Sequence, residues 1–249
     1  MIRKFINFNI RASKLFDQLL PESYKTDGNR DFKNSFALQY ITSGTHCIDI
    51  GGGKNPFIPN HMKNNKNIYV TGIDIDQDEL NQAPKGSYDH IKCADIQHIV
   101  GNGDADLCIC QAVLEHVPDV EAAFKSMSTL LKPGGIAIIF VPSRNALFAR
   151  LNLILPEKIK RKILFSIFPN TQRNQGFPSY YNRCTPVEFR SISEHTNLEV
   201  IDSRYYYTSS YFSFFTPLYI AWRFWIIVYK RMMGEQAAET FSMALRKRA

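Results

Sequence analysis

The run Cys47-Ile-Asp-Ile-Gly-Gly-Gly-Lys-Asn-Pro56 puts a triple glycine directly after a buried-strand pattern, with Asp49 just upstream. Glycine lets a ligand lie against the backbone where any Cβ would clash, and ligands of open α/β sheets bind at the carboxyl ends of strands. The segment reads as a ligand loop or as a tight structural turn. A nicotinamide-type G-x-G-x-x-G fingerprint would need glycine at position 56, where Pro56 stands. Further carboxylates close later apolar runs at Asp74, Asp76 and Asp95, and Leu114-Glu-His116 follows another. Asp76 serves equally well as a solvated helix N-cap. In Pro178-Ser-Tyr-Tyr-Asn-Arg183, Tyr180 and Tyr181 are suited to lining an acceptor pocket, while Arg144 and Arg183 are suited to meeting a phosphate.

In this order and spacing the motifs resemble the class I S-adenosylmethionine (SAM)-dependent methyltransferases of the type 11/12 kind. Asp49, Gly51 and Gly53 match the acidic residue and G-x-G of the first motif. Asn55 stands where the family usually has a third glycine, a departure tolerable because Asn visits left-handed conformations. The resemblance implies that this loop lies against the methionine portion of SAM, with Asp49 near its amino group. It gives the ribose hydroxyls to Asp74, with Asp76 in reserve, since a carboxylate accepts from both hydroxyls of a diol. The adenine falls to Asp95 and the backbone beside it at Ile96, and Gln111 joins the cofactor set. Leu114-Glu-His116 matches the signature after strand four, and Leu130-Leu-Lys-Pro-Gly-Gly135 follows at the usual distance. These matches span about residues 45–142, with a weaker one at 185–201.

The elements that must hold these residues read as alternating strands and helices, the pattern of a parallel sheet covered on both faces. Strands are expected at 47–50, 68–74, 90–93, 105–110 and 136–141. Two more fall at 198–201 and 240–245, giving an α/β, Rossmann-like, seven-stranded and mostly parallel sheet with helices on both faces. Val120 to Leu131 carries an apolar helical stripe stopped by Lys132-Pro-Gly-Gly135. Thr185-Pro-Val-Glu188 forms a capping box for a helix to His195. Helices at 7–20 and 31–40 make an N-terminal cap over 1–45. The catalytic domain covers 46–249, interrupted by insertions at about 143–184 and 205–235.

A sulfonium methyl is already a strong electrophile, so such an enzyme aligns a nucleophile and, for a hydroxyl, removes its proton. His116 is the candidate base, because imidazole titrates near neutral pH and lies at the carboxyl edge. The alternative is that Glu115 and His116 only order their loop. Some quinone O-methyltransferases carry Glu-x-x-Glu-His to hold a divalent cation; here the first position is Ala112, which removes charge and a ligand together, so no metal is expected. Gln111-Ala-Val-Leu114 replaces the Asn/Asp-Pro-Pro-aromatic run of base N-methyltransferases and argues against that chemistry.

At 249 residues and 45% hydrophobic content the chain can bury one sizeable core. Cys47, Cys93, Cys108 and Cys110 sit in runs that read as buried, and Cys184 lies in a polar stretch, so no disulfide framework is indicated. With no secretory pattern at the N-terminus, a cytoplasmic location is expected. From Phe140 onward there are 16 Lys or Arg against seven Asp or Glu, leaving 14 against 16 before it. The excess positive charge is C-terminal and suits an anionic partner such as an acidic membrane face, with nucleic acid not expected. Ile159, Ile163, Leu164 and Ile167 oppose Lys158, Lys160, Arg161 and Lys162, as in an interfacial helix or a lid helix with a solvated face. The aromatic stretch 205–233 suits a lipid-contacting hairpin, a lid or a dimer face. The function these features favour is O-methylation of a lipid-linked or membrane-proximal acceptor, a glycan intermediate or a prenylated ring, by an enzyme peripheral to the inner face of the membrane. The alternatives are a soluble small-metabolite methyltransferase and a catalytically silent SAM-binding scaffold.

Overall fold

The computed structural model describes residues 2–155, 177–209 and 211–249. Seven strands form one sheet: β1 (His46–Ile50), β2 (Tyr69–Asp74), β3 (His90–Cys93), β4 (Ala105–Gln111), β5 (Leu131–Pro142), β6 (Leu198–Tyr206) and β7 (Thr240–Lys247). Their order is β3-β2-β1-β4-β5-β7-β6, with β7 antiparallel to both neighbours and the other pairs parallel. The order reverses between β1 and β4, the topological switch point at which such sheets open a crevice for ligands.

Central strands are apolar on both faces because helices cover both. On one side lie α5 (Val120–Leu130), starting at the Asp119 N-cap, and α7 (Pro186–His195), capped by Thr185, whose Oγ accepts from Glu188 N. Phe124 and Phe189 meet edge to face there, and Phe189 meets Phe241 of β7 in the same way. On the other side the chain from α2 (Gly28–Asp31) continues as a wide turn and a tight turn to Gln39, burying Phe32 and Phe36. The N-terminal segment is thus split in two. Its second half belongs to the core of the sheet, whereas α1 (Ile2–Gln18) packs on a later helix, α8 (Thr216–Met233). The remaining helices are α3 (Asn60–Lys66), α4 (Gln77–Asn81) and α6 (Leu147–Ile154).

Several expectations change. Strand β6 runs on through Tyr206, so the second insertion starts later than position 205, and its aromatic stretch is no hairpin: α8 is a single 18-residue helix. Pro217 in its first turn begins rather than breaks it, because that N–H has no helical partner to lose. Arg223 is fully buried and ties the layer to the domain: its guanidinium donates to the carbonyls of Tyr207 and Tyr24 and pairs with Asp17 of α1 at 2.9 Å. No helix among the described residues is long and apolar enough to cross a membrane. Cys93 is exposed because β3 is an edge strand, while Cys184 is buried beneath the turn at Leu114. The basic amphipathic pattern beginning near Leu153 falls beyond α6, from 156 on, outside the described residues.

Candidate active site

Two cavities open at the carboxyl edge of the sheet and share Ile50, Gly51 and Ala112, the residues at the ends of β1 and β4. Gly51 has φ +71°, and a Cβ there would lie 2.3 Å from Val113 Cγ2, so both conformation and space demand glycine. Its N–H donates to Ile73 O at 2.7 Å, which fixes the loop against β2. Gly52 is held by proximity alone: a Cβ would meet Asp49 Oδ2 at 2.5 Å. Asn55 does not take up a left-handed conformation; Gly51 and Gly53 do, and Asn55 N closes the turn on Gly52 O at 2.9 Å.

The first cavity, about 410 Å³, is lined by Asp74, Ile75, Ala94, Asp95, Ile96 and Gln97 on the β2 and β3 side. Val113, His116, Val117, Phe177, Pro178 and Tyr180 form the other. Asp74 is half-buried, and burial raises its pKa; its Oδ1 accepts from Asp76 N at 3.0 Å. Asp76 is absent from this lining and caps α4 instead, accepting from the N–H groups of Asp78 and Glu79. Asp95 caps the turn Ile96–His98 and is steadied by the Gln97 side chain at 2.8 and 3.0 Å.

The second cavity, about 320 Å³, is lined by Asn29, Lys33, Asp49, Gly52, Asn55, Phe57 and Gln111 besides the shared residues. Phe32 and Phe36 anchor one face of their helical segment in the core, and Asn29 and Lys33, one turn apart, project from another toward the cavity. Gln111 donates to Asn29 Oδ1 across the gap. Asp49 is buried, its Oδ2 accepting from Phe57 N at 2.7 Å and from the Tyr88 hydroxyl at 3.4 Å, and burial pushes its pKa up to about 6.

At the mouth, residues 178–184 strap over the turn Leu114–His116. The N–H groups of Tyr180 and Tyr181 both donate to Glu115 O, at 2.7 and 3.0 Å. His116 Nδ1 lies 2.9 Å from Pro178 O. A carbonyl only accepts, so Nδ1 carries the proton and the lone pair of the neutral ring is on Nε2. That nitrogen is 3.9 Å from Oε1 of Glu115. The Glu115 side chain is buried, burial raises its pKa to about 8, and its Oε2 has no hydrogen-bond partner among the described residues.

The structure therefore gathers Gly51, Asp74, Asp95, Ile96, His116 and Tyr180 on one cavity and Asp49, Gly51 and Gln111 on the other. Gly53 shapes the loop behind them, its Cβ position 3.0 Å from Asp74 Oδ2. Three residues expected at the acceptor site line neither cavity. Arg183 is engaged by Glu121 at 2.8 Å, Arg144 is exposed and lines neither cavity, and Tyr181 is buried outside the lining. Asn29, Lys33 and Phe177 belong to no motif that the sequence offers. The i, i+4 alternation of Phe32/Phe36 with Asn29/Lys33 was a usable signal for the first pair; backbone docking of 178–184 leaves none.

Residues 48–139 match the family model described as a methyltransferase domain. The ubiquinone biosynthesis O-methyltransferase of Chromobacterium violaceum is 31% identical over 189 residues, 69% of this chain and 76% of that protein. The chain belongs to the class I SAM-dependent methyltransferases. The enzyme of the same description from Cupriavidus pinatubonensis is 25% identical over 195 residues, 72% of this chain and 74% of its own. Among solved structures, a SAM-dependent methyltransferase from Mesorhizobium loti superposes with TM-score 0.57 at 16% identity, over 89% of this chain and 99% of that one. Phosphoethanolamine N-methyltransferase 2 of Haemonchus contortus, in complex with SAM, gives 0.56 at 13%, over 100% and 60%. These last two speak for the fold alone. The cofactor of this methyltransferase is SAM, and the paired cavities fit its two ends. One offers apolar walls with Asp74 and Asp95 to a nucleoside, the other Asp49 and Lys33 to an ammonium and a carboxylate.

Proposed function

We propose that this methyltransferase O-methylates a ring hydroxyl on a lipid-linked or membrane-proximal acceptor, a prenylated ring being favoured over a glycan intermediate. The observation that carries the reading is the placement of His116 on the first cavity, its Nδ1 2.9 Å from Pro178 O and the apolar Val113, Val117 and Phe177 lining the same space. SAM supplies a methyl group already activated by its sulfonium. The chain then has to seat the acceptor, exclude water and take one proton. His116 Nε2 accepts the hydroxyl proton as oxygen attacks, and Phe177, Val113 and Val117 keep the mouth dry. Oε1 of Glu115 lies 3.9 Å from the same Nε2, a buried carboxyl that favours the imidazolium once ionised. The resemblance to enzymes described as ubiquinone biosynthesis O-methyltransferases supports a hydroxylated ring as acceptor.

The test is methyl transfer from radiolabelled SAM to a prenylated catechol, the same catechol without its tail, and a lipid-linked glycan, with product mass read for each. Preference for the prenylated catechol supports the reading. Equal turnover of the tail-free ring, or methylation of the glycan alone, overturns it.

A further inference from the structure

Helices α1 and α8, which pack on each other, leave apolar side chains uncovered in a repeated pattern. On α1, Phe5, Phe8 and Leu15 are exposed, with Ala12 completing a spacing of i, i+3, i+7 and i+10 that Leu19, just past the helix end, continues to i+14. Phe8 is 71% exposed and Leu19 81%. On α8, Leu218, Trp225, Val228 and Met232 are exposed, and Ala221 completes the same spacing, with Phe224 (60% exposed) and Met232 (73%) the most open. That spacing makes one stripe along each helix. Beside the α1 stripe a groove is lined by Phe5, Phe8 and Ala12 and, across it, by Phe215, Pro217 and Ile220, which lie outside the α8 stripe. The Phe16 and Phe224 rings meet edge to face farther along.

These stripes are not the faces that fold the layer. The inner faces are used by Asn9, which accepts from Thr216 N, by the Asp17–Arg223 pair, and by Tyr219 and Trp222, both buried. Charge decides what can cover the outer surface. Arg3, Lys4, Arg11 and Lys14 on α1 and Arg231 on α8 have no salt bridge among the described residues. The only carboxylate on either helix, Asp17, is already paired with Arg223. A second copy of the same surface would set cations against cations, whereas anionic headgroups around an acyl interior match both the rim and the stripe.

We infer that the outer face of α1 and α8 docks the enzyme onto an anionic lipid bilayer, its apolar stripes in the interface and its basic side chains among the headgroups. The placement suits the chemistry. α8 departs from the end of β6 and returns at Thr240, which pairs with Pro142 at the end of β5, so the layer lies at the sheet edge where the cavities open. The inference deepens the reading of a membrane-proximal acceptor and rests on it for its purpose.

The test uses the full chain with phosphatidylcholine vesicles made with and without phosphatidylglycerol. Co-sedimentation is expected only with the anionic vesicles and is expected to weaken with salt. Trp225 fluorescence, isolated in a Trp222→Phe background, should shift to the blue. Phe8→Ser with Trp225→Ser should cut vesicle partitioning at least tenfold while S-adenosylhomocysteine (SAH) affinity and the melting temperature stay put, which separates docking from folding. No binding of the wild type to anionic vesicles overturns the inference. So does a concentration-dependent dimer that the double variant abolishes, which would make the face a self-interface. Vesicle binding without preference for a prenylated acceptor would leave docking standing and sink the acceptor reading; preference without vesicle binding would do the reverse.

Discussion

His116 and Pro178 are joined by a 2.9 Å contact from ring Nδ1 to a backbone carbonyl, which puts the proton on Nδ1 and the lone pair of the neutral ring on Nε2. A side chain fixed in one tautomer is a proton acceptor ready for use. His116→Gln keeps the size and one polar contact but loses the base. Turnover of a hydroxyl acceptor should fall by about a hundredfold or more, the range usual for general-base removal. SAH affinity should change less than about twofold by calorimetry; a variant retaining full kcat would return His116 to a loop-ordering role.

Asp74 and Asp76 are two residues apart but have different work, one on the cavity and one on a helix cap. Asp74→Ala should weaken SAH binding by about tenfold to a hundredfold, as for loss of a charge-assisted hydrogen bond. Asp76→Ala should leave affinity nearly intact and cost about 1 kcal/mol of stability through the lost cap. Urea denaturation and calorimetric titration on both variants check this, and the reverse pattern would exchange the two assignments.

Lys33 faces the cavity that also holds Asp49. Because it is exposed, its contribution is screened, and Lys33→Met should weaken SAH by about tenfold at most. Methylthioadenosine lacks the amino-acid end, so its affinity should not change; an equal loss for both ligands would place Lys33 elsewhere.

Burial raises the pKa of Glu115 from 4.5 to about 8 and that of Asp49 from 3.8 to about 6. In that window the folded chain holds protons on these two groups that the unfolded chain has released, so their contribution to the unfolding free energy declines as pH rises from about 4 to 8. Glu115→Gln cannot ionise. Its urea midpoint should fall less than that of the wild type between pH 6 and 8.5. Parallel midpoint curves would mean that Glu115 is already ionised in the native state.

Much of the fold was legible because the chemistry sits at strand ends with regular periodicity. The run 46–50 into Gly51, the capping box at Thr185 and the acids at Asp74 and Asp95 are local signals that tertiary packing did not override. What escaped was set by contacts distant in sequence. Cys93 read as buried because its strand is β-rich, yet that strand lies at the sheet edge, which no local pattern announces. Arg183 looked free for a phosphate until the fold brought Glu121 to it. The wall formed by Pro178 and Tyr180 is tied through main-chain groups to Glu115 and His116, and backbone hydrogen bonds have no residue signature.

The central claim is that the cavities meeting at Gly51 and Ala112 form one SAM site, and calorimetric titration of the purified chain with SAH tests it without knowledge of the acceptor. Binding in the micromolar range, one molecule per chain and lost in Gly51→Val, is the expected result; a folded wild-type chain that takes up no SAH would contradict it.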